Sequence, residues 1–137
     1  LWLDALEGKY IDEVGTMNIA FFKDDVLITP PLEGTILPGV TRDSVIQIAK
    51  KKGIKVEERR ISIDEVMESV KDGSMTEIFG TGTAAVISPV GEVYHNGESV
   101  TVNNFKTGPI AKMFYDEITG IQYGEKEDTF GWITKIQ

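Results

Sequence analysis

The sequence predicts an α/β fold, and three observations predict it. Short extended runs of apolar residues alternate along the chain with stretches whose apolar residues recur at helical spacing. Each helical stretch opens on a start signal: Pro38-Gly39, Ser62 with Glu65, and Gly108-Pro109. At 137 residues, with 41% apolar and 26% charged, the chain is sized and composed for one soluble domain that buries about two thirds of its unfolded surface. There is no internal repeat and no low-complexity segment.

Leu1-Trp2-Leu3 reads as the middle of a buried strand. With no initiator methionine before it, the chain is expected to be a piece of a longer protein. A turn at Glu7-Gly8-Lys9 leads into one extended run from Ile11 to Phe22, which Lys23-Asp24-Asp25 folds back onto Val26-Leu27-Ile28-Thr29 as a hairpin. Glu13 and Asn18 interrupt that apolar run. Either they mark a strand end and an exposed face, or they are buried and need partners.

From Gly34 to Ser44 an extended segment turns through Pro38-Gly39 straight into a helix expected over Thr41–Lys52, with Val45, Ile46, Ile48 and Ala49 as its apolar stripe and Gly53 at its stop. Two readings stand side by side. The start is an ordinary turn and helix beginning, or it is an anion seat: the first N–H groups of a helix lack intrahelical partners and lie at the positive end of its dipole, and Gly39 lets a ligand approach the backbone. Lys55–Ile61 reads as a strand of alternating charge, and Ser62 with Glu65 forms a capping box for a helix whose buried face is Ile63, Val66, Met67 and Val70, ending near Gly73.

Glu77–Val90 is two apolar runs broken by the small-residue loop Gly80-Thr81-Gly82-Thr83. Such a loop presents N–H and O–H donors to an anion, and bulges or tight bends use the same residues. His95-Asn96-Gly97 is an Asn-Gly hairpin turn, which makes His95 an exposed flank rather than a catalytic base. Val100, Val102 and Phe105 read as a short strand. Gly108-Pro109 opens a third helix with Ile110, Met113, Phe114 and Ile118 as its core face, and Tyr123 to Trp132 carries no regular pattern.

The net charge of −8 and the lack of any basic run longer than Lys50-Lys51-Lys52 leave no footprint for nucleic acid. No cysteine and a single histidine remove disulfides and make a metal site unexpected. No apolar run reaches the roughly 18 residues of a membrane span, and a cytoplasmic location fits.

Three motifs in order, Glu13-Val14-Gly15-Thr16-Met17-Asn18-Ile19, Thr35-Ile36-Leu37-Pro38-Gly39-Val40-Thr41-Arg42 and Phe79-Gly80-Thr81-Gly82-Thr83-Ala84, resemble the branched-chain amino acid aminotransferases, which are fold-type IV pyridoxal-phosphate enzymes. The resemblance spans essentially the whole chain. It implies the second domain of the D-amino acid aminotransferase-like fold, lacking its first strand and the N-terminal domain. It also implies that Glu13 faces the pyridine nitrogen of pyridoxal 5'-phosphate, that Thr16 sits close to the ring, and that Gly39 and the N–H groups of Val40 and Thr41 hold the phosphate. Thr83 would support the phosphate, and the Thr83-Ala84 backbone would meet the substrate α-carboxylate. Each role has a chemical reason: a carboxylate keeps the ring nitrogen protonated, and a helix start favours a dianion.

The resemblance further implies transfer of the amino group of Leu, Ile or Val to 2-oxoglutarate, in a parent that is a homodimer or higher oligomer. It places the Schiff-base lysine, a tyrosine of the site and a phosphate-binding arginine before Leu1, and none of the eleven lysines matches the catalytic position. The chain alone is therefore expected to be inactive. Ala85 and Ser88 stand where some mammalian members carry redox cysteines, so thiol regulation of that kind is excluded. Two alternatives remain: another fold-type IV enzyme, a D-amino acid aminotransferase or aminodeoxychorismate lyase, or a non-catalytic module that binds a phosphate ligand or serves assembly.

Overall fold

A computed structural model describes residues 1–34, 36–134 and 136. Its centre is a mixed sheet in the order β5-β4-β3-β6-β7, formed by β3 (Asn18–Lys23), β4 (Val26–Thr29), β5 (Lys55–Glu58), β6 (Met75–Gly82) and β7 (Val86–Pro89). Only the β4–β5 pair is parallel, because α1 (Val40–Lys51) crosses over between those two strands. The other pairs are antiparallel, and β3 joins β4 through a tight turn in which Asp24 and Asp25 take positive φ.

The central strands are apolar on both faces over most of their length because both faces are covered. On β3, Ile19 and Phe21 enter one core while Ala20 and Phe22 enter the other; on β6, Ile78 and Phe79 divide in the same way. One core lies under α2 (Ile63–Asp72) and the small β8–β9 hairpin (Glu92–His95, Glu98–Thr101) and centres on Phe21, Ile61 and Val66. The other lies under α1 and α3 (Pro109–Gln122), where Phe79 meets Phe114 with ring centroids 5.9 Å apart. Phe130 and Trp132, from the stretch without a regular pattern, stack at 4.3 Å and pack against this second core.

Several expectations change. The run from Ile11 to Phe22 is not one strand: β2 (Ile11–Glu13) ends in a two-residue turn at Gly15-Thr16, with Val14 and Met17 exchanging both backbone hydrogen bonds. Gly15 has φ +56°, the left-handed value such turns need and one that apolar neighbours on both sides disguise. β1 (Trp2–Leu3) pairs only with β2 at the margin of the molecule, so Leu1 and Trp2 are exposed rather than buried. α1 begins at Val40 and ends at Lys51, one residue earlier at each end than expected. β5 stops at Glu58, short of Ile61. Gly80 lies inside β6, and the loop proper is Thr83–Ala85. His95 is half-buried, and Phe105 is exposed in a turn of three consecutive positive-φ residues beyond β9. No helix among the described residues is long and apolar enough to cross a membrane.

Candidate functional site

Glu13 and Asn18 both find partners, and the partner is the same residue. The Leu37 N–H donates to Glu13 Oε1 at 3.0 Å, and Asn18 Nδ2 donates to the Leu37 carbonyl at 2.8 Å. Asn18 is buried as the first residue of β3, while Glu13, at the end of β2, is half-buried. Two polar residues in an apolar run thus clamp the segment that enters α1.

Gly39 is the residue before α1, and its lack of a side chain has an internal use. A Cβ there would collide with the Asn18 carboxamide oxygen, so the space that was expected to admit a ligand is shared with Asn18. α1 has no side-chain cap, and the N–H groups of Val40, Thr41 and Arg42 meet no acceptor among the described residues. The other two helices differ. In α2 the Ser62 hydroxyl accepts from Glu65 N–H and the Lys9 carbonyl from Ile63 N–H. In α3, Pro109 has no N–H to satisfy, and the buried Glu77 carboxylate accepts from Ile110 and Ala111, both at 2.9 Å. Arg42, buried on the first turn of α1, donates to the Pro30 carbonyl at 3.0 Å and to Glu58 at 2.7 Å, fixing α1 to the ends of β4 and β5.

The third stretch meets the other two at β6. Gly80 and Gly82 leave room for the Met17 side chain, which a Cβ at either position would strike. Met17 thereby seats the Gly15-Thr16 turn on β6, and the Thr41 hydroxyl donates to the Gly82 carbonyl at 3.2 Å. Thr16, Val40, Thr83 and Ala84 are exposed, and Thr41 is half-buried. Val86, which follows the Thr83–Ala85 turn, holds φ +58°, an unfavourable value for a β-branched residue and a local store of strain. The three motifs are therefore joined by Leu37, Met17 and Thr41. Thr35, in the second motif, lies outside the described residues.

The site residues form an open surface. A cleft of about 380 Å³ lies nearby, with Pro30, Pro31, Gly34 and Ile36 on one side and the β1–β2 segment on the other, but none of the site residues lines it. Asp12 does, and burial, with Asp4 close by, pushes its carboxyl above the usual carboxylate range while Arg60 opposes the shift. Sequence reasoning passed over Leu37, Arg42 and Glu77 as structural residues. Their partners lie from 12 to 34 residues away, and nothing local reports them. Among the described residues no cluster of three His, Cys, Asp or Glu side chains is placed to hold a metal.

Comparison with known proteins adds the family. Residues 4–93 match the model of the amino-transferase class IV family. Branched-chain-amino-acid aminotransferase 2 of Bacillus subtilis is 56% identical over 136 residues, covering 99% of this chain and 38% of that protein. Among solved structures, the Escherichia coli branched-chain amino acid aminotransferase superposes with a TM-score of 0.82 at 36% identity, over 98% of this chain and 40% of that one. The T.th. branched-chain amino acid aminotransferase complexed with N-(5'-phosphopyridoxyl)-L-glutamate superposes with a TM-score of 0.80 at 30% identity, over 100% of this chain and 42% of that one. The chain spans about two fifths of the length of these relatives.

Proposed function

The chain belongs to the class IV aminotransferases, and on that premise we propose that its site is part of the pyridoxal-phosphate centre of a branched-chain aminotransferase, as the cofactor-binding domain of a longer, cytoplasmic, oligomeric enzyme. The substrates in this reading are Leu, Ile or Val and 2-oxoglutarate, exchanged in a ping-pong sequence. Its main support is the start of α1, where three N–H groups converge without an acceptor among the described residues, while the protein itself fills the starts of α2 and α3.

The donor set fits the cofactor. N–H groups at the positive end of a helix dipole suit a dianionic phosphate, and a half-buried carboxylate with one oxygen already held suits a protonated ring nitrogen. Leu37, where Glu13 docks, precedes Val40 by three residues, so at most about 10 Å of extended chain separates the two features. When bound, pyridoxal phosphate supplies a reactive carbonyl carbon and a ring that draws electrons from the substrate α-carbon.

The chain's residues then have distinct tasks. Glu13, steadied at Oε1 by the Leu37 N–H, would keep the proton on the ring nitrogen. Val40 and Thr41 would hold the phosphate with their N–H groups, Gly39 beside them adds no side chain at the helix entry, and Thr83 would add its hydroxyl. The Thr83-Ala84 backbone receives the substrate α-carboxylate, and Thr16 borders the ring. The lysine that takes up the cofactor and the arginine that completes the phosphate site are assigned to the rest of the longer protein.

The test is Glu13→Gln in the full-length enzyme, because an amide cannot hold the ring nitrogen protonated. The rate with leucine and 2-oxoglutarate should fall by about a hundredfold or more, while cofactor affinity changes less. Turnover near that of the wild type removes Glu13 from the chemistry and the assignment with it.

A further inference from the structure

We propose that Asn18 is a positioning residue for Glu13, acting through the backbone of Leu37; the proposal rests on the reading of Glu13 as the partner of the ring nitrogen. Asn18 has no place on the open surface of the site. It is buried at 5% exposure, and its amide N–H goes to the Leu37 carbonyl at 2.8 Å.

The reach of that bond comes from how little else holds the segment. Ile36 donates only to Glu33, Pro38 has no N–H, and the Gly39 N–H turns back to Leu37. Among the described residues, hydrogen bonds tie positions 36–38 to the sheet through Leu37 alone, by way of Glu13 and Asn18. Of these two anchors, Asn18 is rigid: it is the first residue of β3, paired with Thr81 of β6 in the central sheet. Glu13 ends a three-residue strand at the margin, and its side chain is half-buried.

Direction follows from that asymmetry. The carbonyl and the N–H of Leu37 belong to the two peptide planes that meet at its Cα, and Pro38 next in the chain restricts the φ and ψ between them to the extended region, so holding the Leu37 carbonyl limits where its N–H can point. That N–H takes up Glu13 Oε1, which leaves Oε2 in a set orientation. The missing Cβ at Gly39 completes the arrangement, since Asn18 occupies the room beside it and locks against the entry to α1. Without the Asn18 N–H, the Leu37 carbonyl loses its side-chain donor, the segment drifts, and Glu13 loses the donor that orients it.

The experiment uses the full-length enzyme with Asn18→Ala and with Asn18→Asp, which keeps the shape but, when ionised, has no N–H to give. Each is made alone and in combination with Glu13→Gln. The readouts are the dissociation constant of pyridoxal phosphate and the pH titration of the bound cofactor's visible absorbance, with circular dichroism confirming the fold. Each Asn18 variant should weaken cofactor binding by about tenfold, the value of one hydrogen bond, and should shift the absorbance transition by about one pH unit. In the Glu13→Gln background the further change in the transition should be small, because both substitutions remove one interaction. Should Asn18→Ala not fold, the isosteric Asn18→Asp carries the test. Wild-type titrations in the Asn18 variants, or shifts that simply add to those of Glu13→Gln, overturn the positioning role and leave the ring-nitrogen reading standing. A wild-type titration in Glu13→Gln overturns both.

Discussion

At the scale of the residue, Asp4 shows how much one carboxylate organises. Its oxygens accept the backbone N–H groups of Tyr10, Glu7 and Lys9 at 2.8, 2.7 and 2.9 Å, which closes the turn from β1 into β2. Those bonds, Tyr10's first, hold its pKa down to about 2 against burial, with the Arg60 charge assisting. A carboxyl depressed by folding stabilises the native state above its unfolded value, near 3.8, and that contribution is lost as the pH falls through the folded value. Asp4→Asn should therefore melt at a lower temperature than the wild type at pH 6, with the gap closing between about pH 4 and pH 2. Parallel melting curves whose gap persists at pH 2 would refute this account. Glu13 and Asn18 were legible in the sequence as polar residues needing a purpose, but Leu37 lies 24 and 19 residues further on, and no periodicity links them. Gly39 was legible as a position that lets a ligand approach the backbone. That the room its missing Cβ leaves is shared with the Asn18 side chain is a tertiary fact.

At the scale of the element, the helices were the most readable parts, because their start signals are local. Ser62, Pro109, Gly53 and Gly73 act within one turn of the helix they bound, and α2 and α3 begin where those residues place them. What satisfies the start of α3 was not readable. Glu77 comes from β6, 33 residues earlier, and Gly108 is a glycine because any Cβ there would meet that carboxylate. The Glu65 of the capping box likewise turns away, to Arg59 and Lys23, instead of back to Ser62. Removing the α3 cap has a definite consequence. Glu77→Ala leaves two buried-end N–H groups without an acceptor and opens a small void, so stability should fall by about 2–3 kcal/mol, roughly 6–10 °C in Tm. Glu77→Gln keeps one acceptor and should fall about half as far. Equal losses in the two variants would mean that packing, not the two hydrogen bonds, is what Glu77 contributes. Strand limits were harder to read, since the turn at Gly15-Thr16 lies inside an apolar run and only the positive φ of Gly15 reveals it.

At the scale of the whole molecule, three sequence motifs meet at one end of the central strands β3 and β6 without being enclosed. β2, the entry to α1 and the β6–β7 turn come together through Leu37, Met17 and Thr41, and Leu37 and Val40 remain 65% and 84% exposed around them. An anion seat open on that side works in high dielectric, where each N–H contributes little and salt screens the helix dipole. The reading of this chain as one part of a larger active site then makes a direct prediction. Purified by itself and folded by circular dichroism, the 137-residue chain should bind pyridoxal phosphate weakly or not at all, and should not transfer an amino group from leucine to 2-oxoglutarate. Its eleven lysines should label diffusely: incubation with the cofactor, borohydride reduction and mass mapping should give scattered, substoichiometric adducts that mark exposed side chains. One stoichiometric lysine adduct with measurable transamination would instead place a complete catalytic set within these residues. The division of labour between this domain and the rest of the enzyme would then have to be redrawn, beginning with the lysine so labelled and its distance from Glu13.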